Sequence, residues 1–460
     1  MHRAAAVVIS VSMMLAFPAL GQHRSADEPF TMALTGDSII NRSLSVYDEP
    51  EYLDMIELLR GADVAVTNLE TVLHDFEPYP MAESGGTWMR SDPQVADELV
   101  WAGIDMVARA NNHTGDYGTL GLELTTKYVE QAGLIDAGVG MSLAEAREAK
   151  FLETSKARVA LISLSSSFAN HMRAGRSRDD VPARPGLNPL RLKTTFVLPE
   201  DSYDNIRDAA DSLGQFTDLD GFPRGTDEDK PGQMDVLGRN FAIGDEPGVL
   251  REPNQDDVAE IMAVINNASR LADFTIVTIH SHQNGGRREL PDEFLPVFAR
   301  AAIEAGADVF FGHGPHILQG IEIHQGKPIF YSLGNFIFQN ETLQRLPSDN
   351  YERYNLDELS HVADFNAARY ENDSTGFPAL QENWEAIIAV PTFASGQLSE
   401  LALYPIDLGF GKPSQVRGRP ILADDELGQK IMDDLERLSA PYGTEFEFRR
   451  GVGYVKLDNE

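Results

Sequence analysis

Six short apolar runs recur along the chain, and each is followed by residues whose side chains can bind a metal ion or a proton. The runs and the residues that follow them are 31–36 with Asp37, 64–67 with Asn68 and Glu70, 106–108 with Asn111, Asn112 and His113, 275–279 with His280 and His282, 309–312 with His313 and His316, and 329–334 with Asn335. Runs of this length, separated by helical stretches, predict buried strands of a mostly parallel sheet. Ligands bind at the carboxyl ends of such strands, so these side chains are expected to converge on an active site.

The stretches between the runs have helical periodicity, which makes the chain an α/β protein. Predicted helices cover residues 52–60, 94–102, 120–131, 143–149, 202–213, 255–272, 293–305 and 424–438. Ser142 and Glu145 have the spacing of a capping box, and Gly61, Gly103 and Gly133 are predicted left-handed caps. Further strands are predicted at 159–164, 385–390, 396–406 and 453–457. Residues 168–255 otherwise lack periodicity, which predicts an insertion lying over the strand ends.

Composition and charge narrow the classes of function. The chain has 460 residues, 42% of them hydrophobic and 24% charged, which is typical of a globular protein. Its 72 acidic and 38 basic residues give a net charge of -34, which argues against nucleic acid or an anionic bilayer as a partner. The sequence has no cysteine, so disulfides, thiolate metal sites and a cysteine nucleophile are excluded.

The first 21 residues have the pattern of a secretory signal peptide. Arg3 precedes an apolar stretch over 4–20, and Ala19 and Gly21 are small residues of the kind that a signal peptidase reads. An uncleaved anchor is the alternative, but Pro18 interrupts a stretch that is short for a membrane span. Export to the periplasm or the extracellular space is therefore expected, with no stable membrane insertion after cleavage.

The turn at Asn111, Asn112 and His113 carries the sharpest chemical signal. Two amides and an imidazole directly after a buried strand need polar partners, since desolvating them is costly. The side-chain oxygen of Asn112 can bind a metal, His113 can act as a general acid, and Asp116 can orient His113. A hydrogen-bonded turn without catalytic function is the alternative.

Two further segments concentrate imidazoles. Strand alternation predicts that only one of His280 and His282 faces the site, and His280 is favoured because it comes first after the apolar run. Gly314 and Pro315 predict a tight turn that brings His313 and His316 toward one point. Carboxylates, an asparagine and several histidines suit divalent Mn, Fe or Zn, and one or two ions are possible. Glu70 has the chemistry to bridge a pair.

Five motifs together resemble a known family. They are Gly36-Asp37, Asn68-Leu69-Glu70, Asn111-Asn112-His113-Thr114, Gly312-His313-Gly314-Pro315-His316 with Gln319, and Tyr331-Ser332-Leu333-Gly334-Asn335-Phe336. This set resembles the CapA (PgsA) poly-γ-glutamate capsule biosynthesis proteins, which are similar in turn to the calcineurin-like metallophosphatases. The resemblance covers residues 30–340 as one domain, with 341–460 as an extension that completes it.

The resemblance implies a metallophosphatase-like four-layer α/β/β/α sandwich with a metal site at the carboxyl ends of the strands. The metal ligands that it implies are Asp37, Glu70, Asn112, His280, His313 and His316, with His113 as the acid. In the metallophosphatase pattern a histidine follows two residues after the first aspartate, whereas this chain has Ile39 there. The number of metals therefore stays open.

Three functions are compatible with these features. The favoured one is an exported, metal-dependent hydrolase of capsule synthesis or processing that acts on an amide or ester of an extracytoplasmic polymer or small molecule. The second is a non-catalytic polymer-binding, assembly or export component of the capsule machinery, and the third is a phosphoesterase. Asn111, His282, Arg287 and Asn335 are assigned to substrate binding. Arginines at 173, 176, 178, 184, 287 and 288 are a candidate anion-binding rim.

Overall fold

The computed structural model describes residues 28–214 and 232–457, so the predicted signal peptide lies outside the described residues. The strands are β1 (Phe30–Ile39), β2 (Val64–Leu69), β3 (Val72–Leu73), β4 (Arg90–Ser91), β5 (Met106–Ala108), β6 (Ile135–Ala137), β7 (Val139–Gly140), β8 (Lys150–Glu153), β9 (Arg158–Ser165), β10 (Gly186–Leu187), β11 (Leu192–Leu198), β12 (Gln233–Val236), β13 (Arg239–Ile243), β14 (Gly248–Pro253), β15 (Phe274–His280), β16 (Val309–His313), β17 (Ile321–His324), β18 (Lys327–Phe330), β19 (Asn335–Phe338), β20 (Glu385–Ala394), β21 (Gln397–Asp407), β22 (Ile421–Leu422), β23 (Phe446–Arg449) and β24 (Val452–Val455). The helices are α1 (Pro50–Gly61), α2 (Val95–Ala102), α3 (Gly118–Ala132), α4 (Leu143–Arg147), α5 (Glu200–Ser212), α6 (Gln255–Ala268), α7 (Phe294–Glu304), α8 (Ser348–Glu352), α9 (Val362–Arg369) and α10 (Asp425–Ser439).

The predicted α/β class is confirmed, but the strands belong to two large sheets and not to one. The first sheet has ten strands; its main order is β23-β24-β21-β20-β1-β2-β5-β6, with β19 also paired to β1 and β22 to β21. The second has six strands in the order β17-β18-β16-β15-β9-β8. Strands β1, β2, β5 and β6 are parallel, as are β9, β15, β16 and β18. Apolar runs alone do not distinguish one sheet from two, because every such strand is buried on both faces.

A continuous hydrophobic core lies between the two sheets, and helices cover their outer faces. Met32 and Leu34 of β1 pack in the same cluster as Leu161 of β9 and Ile276 of β15. The alternating neighbour, Ala33, instead packs with residues of α1 and α2. On the second sheet, residues of β9 and β15 pack against α6 and α7. The period-two alternation of each strand thus supplies both an inner and an outer core.

Most predicted helices are confirmed, with two local corrections. Ser142 caps α4 by accepting a hydrogen bond from the Glu145 N–H, but α4 ends at Arg147 because β8 begins three residues later. Gly103 and Gly133 adopt left-handed caps as predicted. The cap predicted at Gly61 is wrong, since that residue lies inside α1 and the chain leaves the helix in an extended conformation. No helix in the described part of the chain is long and apolar enough to cross a membrane.

The stretch 168–255 is more ordered than its sequence pattern indicates. The helix predicted at 202–213 is present as α5, and strands β11–β14 form a separate four-stranded sheet in the order β12-β13-β11-β14. Tyr203 and Ala210 of α5 pack on Met234 and Val236 of β12. The strands were missed because they are mostly half-exposed and show weak alternation. Residues 215–231 of this stretch lie outside the described residues.

The last apolar run, 329–334, is not a single strand. Strand β18 ends at Phe330 in the second sheet, and β19 begins at Asn335 in the first sheet, where it pairs with β1. Gly334 has a positive φ of 75° at this crossing, and its carbonyl accepts a hydrogen bond from the Asp37 N–H. A Cβ placed on Gly36 would lie 1.9 Å from the Gly334 oxygen. The crossing chain therefore lies directly against the end of β1.

We expect Gly36→Ala to lower the free energy of unfolding by about 1–3 kcal/mol, because the added methyl group must displace the backbone at Gly334. Gly61→Ala is the matched control: a Cβ there has no atom within 4 Å, and alanine favours a helix. Urea unfolding of both variants measures the difference. Equal stability of Gly36→Ala and the wild type would contradict the close approach.

Candidate metal centre

The ends of strands from both sheets meet at one buried cluster of polar side chains. Asp37 of β1 is in register with Asn68 of β2 on one side and with Asn335 of β19 on the other. His280 of β15 is in register with His313 of β16 in the second sheet. Parallel pairing therefore aligns these residues at the same end of each sheet.

Asp37 joins the two halves of the cluster. Its carboxylate is fully buried and accepts hydrogen bonds from Asn68 Nδ2 at 2.8 Å and from the Gly314 N–H at 2.9 Å. The Nδ1 atoms of His313 and His316 each lie 3.4 Å from one of its oxygens. Both sheets thus contribute groups to one carboxylate.

Glu70 is buried without the partners that a carboxylate normally requires. Among the described residues, neither of its carboxylate oxygens has a hydrogen-bond partner. Oε1 faces imidazole nitrogens of His280 at 3.7 Å, His113 at 3.8 Å and His316 at 4.0 Å. A buried anion without hydrogen bonds is strongly unfavourable unless a cation compensates it.

Asn112 lines a cavity together with His113, His282 and His316. Its Nδ2 donates to the Gly85 carbonyl at 3.0 Å, which fixes the orientation of the amide. Its Oδ1 is buried and, within the described chain, has no hydrogen-bond partner. The donor set of oxygen and imidazole atoms therefore fits a divalent ion such as Mn, Fe or Zn.

Three groups of side chains have ligand atoms within 4.8 Å of one another. They are Asp37, His280 and His313; Glu70, His280 and His282; and Asp37, Glu70 and His316. Each pair of groups has one residue in common, which is Asp37, Glu70 or His280, so the three groups form one connected cluster.

His113 and Asp116 form a pair at the edge of the cluster. His113 Nδ1–H donates to Asp116 Oδ2 at 2.7 Å, and Asp116 also accepts backbone hydrogen bonds from Gly85 and Met89. Because Asp116 accepts all three of these hydrogen bonds, the proton of the His113 ring lies on Nδ1. The other ring nitrogen, Nε2, faces Glu70. The pair can hold a proton at a defined atom.

The imidazoles of the second sheet are oriented by neighbours. Thr278 Oγ1 lies 2.7 Å from His313 Nε2, which directs His313 Nδ1 to Asp37. His280 Nε2 lies 3.0 Å from His282 Nε2. Both His280 and His282 therefore reach the site, contrary to the expectation that only one would, because β15 ends at His280 and strand alternation does not extend to His282.

The remaining predicted residues have different positions. Asn335 Oδ1 lies 2.9 Å from His316 Nδ1 and holds that ring, whereas Asn111 donates to Asn68 Oδ1 and the Leu69 carbonyl and so supports the turn. Arg287 is exposed, pairs with Glu289, and lines a neighbouring cavity of about 380 Å³.

Sequence reasoning assigned no role to Asn68, which the structure brings to the site, and proposed Arg288 only as one of six arginines of an anion-binding rim. Asn68 links Asp37 to Asn111 and was quoted only as part of a motif. Arg288, next to Arg287, lines a cavity of about 190 Å³ together with Asn112, His113, His282 and His316. The orientation of neighbouring loop residues has no signature in the sequence.

The buried groups have shifted pKa values. Burial and the negative charge of Asp37 raise the pKa of Glu70 well above its usual range. Burial opposes ionisation of Asp37 too, but the close imidazoles of His313, His316 and His280 hold its pKa well below the usual range. Burial and the neighbouring His282 lower the pKa of His280, which keeps it neutral with a lone pair available to a metal.

The family model of Bacterial capsule synthesis protein PGA_cap matches residues 31–340, which include every residue of the cluster. The chain belongs to this family. The resemblance to capsule proteins that the sequence motifs indicated is thereby confirmed.

Several relatives of this PGA_cap family member are known by sequence. The Sinorhizobium fredii protein named "Uncharacterized protein y4sH" is 37% identical over 93% of each chain. "PGA biosynthesis protein CapA" of Bacillus subtilis is 24% identical over 73% of this chain and 72% of its own. "Capsule biosynthesis protein CapA" of Bacillus anthracis is 22% identical over 69% of this chain and 61% of its own.

At pH 7, Glu70 and Asp37 are expected to change the stability of the metal-free protein in opposite directions. The folded-state pKa of Glu70 exceeds its unfolded value, so stability is lost as pH rises through the raised pKa. The folded-state pKa of Asp37 lies below its unfolded value, so its contribution is present at pH 7 and is lost only as pH falls through the lowered pKa. Glu70→Gln should therefore raise the unfolding temperature of chelator-treated protein, and Asp37→Asn should lower it.

Calorimetry of both variants tests this, with Glu358→Gln at an exposed position as the control. Shifts of the same sign for Glu70→Gln and Asp37→Asn would contradict the electrostatic assignment.

Proposed function

We propose that this PGA_cap family member is an exported, metal-dependent hydrolase of capsule synthesis or processing. Its substrate is an amide or ester of an extracytoplasmic polymer or small molecule, with poly-γ-glutamate as the polymer that the relatives' names favour. The observation that carries the proposal is the convergence of two buried carboxylates and four imidazoles around Glu70, whose oxygens have no hydrogen-bond partner in the described chain.

The proposal includes a metallophosphatase-like four-layer fold. A core between two sheets and helices on their outer faces support it. So does the position of the cluster at the carboxyl ends of β1, β15 and β16. In this proposal residues 341–460 complete the domain, since β20 pairs with β1.

The ligands proposed are Asp37, Glu70, Asn112, His280, His313 and His316, and His282 is close enough to join them. Divalent ions held by such ligands polarise a carbonyl or phosphoryl oxygen and lower the pKa of water. Asn68 and the Gly314 N–H orient Asp37, Thr278 orients His313, and Asn335 orients His316. These contacts fix the ligands before any ion binds.

His113 is proposed as the general acid. Its Nδ1–H is held by Asp116, its Nε2 lies 3.8 Å from Glu70 Oε1, and the residue lines the cavity that adjoins the cluster. A proton carried at Nε2 passes to the leaving nitrogen or oxygen as the amide or ester bond breaks. The buried Asp116 stabilises the imidazolium in this step, because its two oxygens remain acceptors.

The metal site is tested by His280→Ala and His313→Ala, with His324→Ala as the control because His324 pairs with Glu304 away from the cluster. Both site variants should retain less than about a tenth of the bound metal, since removal of one ligand weakens binding by 10- to 100-fold or more. Elemental analysis of purified protein measures this. Unchanged metal in both variants would remove the basis of the site.

The general acid is tested by His113→Gln. We expect normal metal content and a kcat that falls by about 100-fold or more, because only the proton donor is lost. His171→Gln is the matched control. His171 comes from another part of the chain, and its Nε2 contacts the carbonyl of Gly115, which belongs to the same turn as His113. A similar loss of kcat in both variants would indicate a structural effect.

The substrate class is decided by a screen of the metal-loaded protein against amides, peptides and phosphoesters. Turnover of phosphoesters alone would make the protein a phosphoesterase. Full metal occupancy without turnover of any substrate would favour the non-catalytic role in capsule polymer binding, assembly or export.

A further inference from the structure

The cavity beside the cluster has two arginines in its wall. Arg288 and Arg369 both line this space of about 190 Å³, together with Asn112, His113 and His316. Neither arginine forms an ion pair with a carboxylate anywhere in residues 28–214 and 232–457, although acidic residues outnumber basic ones by 72 to 38 in the chain. Arg288 also lines the neighbouring cavity, where the charge of Glu382 acts on it without a direct ion pair. Two arginines that contact no carboxylate beside a proposed catalytic site require an explanation.

Arg288 is anchored to the turn between His313 and His316. Its Nη2 donates to the Pro315 carbonyl at 2.9 Å and to Asn383 Oδ1 at 2.6 Å. The Asn383 carbonyl in turn accepts a hydrogen bond from Asn335, which holds His316. Nε and Nη1 of Arg288 donate to no group in the described chain, so half of the guanidinium is available to a ligand.

Arg369, at the end of α9, is anchored to the other side of the site. Its Nη1 donates to Thr87 Oγ1, and its guanidinium lies over the ring of Tyr370. Thr87 follows Gly85, which binds both Asn112 and Asp116. The two arginines are therefore fixed to the two loops that hold the candidate ligands, with donors left over on each.

We propose that Arg288 and Arg369 form a clamp for an anionic group of the substrate, a carboxylate or a phosphate, next to the bond that is cleaved. The clamp rests on the proposed function in one respect: it takes this cavity as the place where the substrate binds. Planar guanidinium groups bind both anions through paired N–H donors, and an enclosed site strengthens such bonds. The clamp also gives local attraction for an anion that the net charge of -34 would otherwise repel.

Apart from Arg288, the arginines that the sequence analysis placed in the rim do not take part in the clamp. Arg176 pairs with Glu260 and Arg178 with Asp180, and none of the arginines at 173, 176, 178 and 184 lines this cavity. Arg287 pairs with Glu289 and faces the neighbouring cavity. The clamp thus consists of one arginine that the sequence analysis had placed in the rim and one, on α9, that no sequence pattern singled out.

The test is calorimetric titration of the full-length, metal-loaded protein with glutarate, with inorganic phosphate, and with glutaramide as the neutral analogue of glutarate. We expect an anion to bind and glutaramide not to bind. Arg369→Gln and Arg288→Lys should each weaken anion binding by about tenfold or more, since hydrogen bonds to charged groups are among the stronger ones. Arg270→Gln, at an exposed turn, is the matched control.

The outcomes are distinct. An arginine-dependent affinity for glutarate assigns a carboxylate, and one for phosphate assigns a phosphate. Unchanged affinity in both variants, loss of metal from both, or no anion binding by the wild type overturns the clamp. Arginine-dependent binding by a protein that hydrolyses nothing in the screen would leave the clamp standing and reject the hydrolase.

Discussion

The burial of two carboxylates where two sheets meet is the constraint on which the site depends. Asp37 is compensated within the protein by an amide, a backbone N–H and imidazoles. Glu70 lies close by and has no such compensation within the described chain. The neighbouring side chains are arranged around this imbalance of charge, and a divalent cation is the simplest group that would remove it.

Three imidazoles of the site are each positioned by a second residue, and these second residues come from different parts of the chain. Thr278 orients His313, Asn335 orients His316, and Asp116 orients His113. This arrangement is typical of sites whose geometry is set before the ligand arrives. Membership of the PGA_cap family rests on the match over residues 31–340, while the chemistry proposed for the site rests on these contacts.

The sequence was most informative where chemistry follows directly from a buried strand. Asp37, His280 and His313 could be selected because each ends an apolar run, and the structure brings all three together. The apolar runs did not predict the division into two sheets, which only the family resemblance implied, since the packing partner of a fully buried strand leaves no trace in its own pattern. Arg369 lies on a helix in a stretch that showed no clear periodicity, so only the folded chain reveals its position beside the cavity.

The crossing of the chain from β18 to β19 has a consequence for folding. Asp37 and Asn335 lie almost 300 residues apart in sequence yet pair in register, and the intervening chain builds the entire second sheet. Closing such a loop before its contacts form is entropically unfavourable, which places this pairing late in folding. A nascent chain that has only strands β1 to β6 holds Asp37, Glu70 and Asn112 but none of the histidines from β15 onward. The set of candidate ligands is therefore complete only when the second sheet docks, and a ligand that bound all of them would stabilise the completed fold over every earlier state.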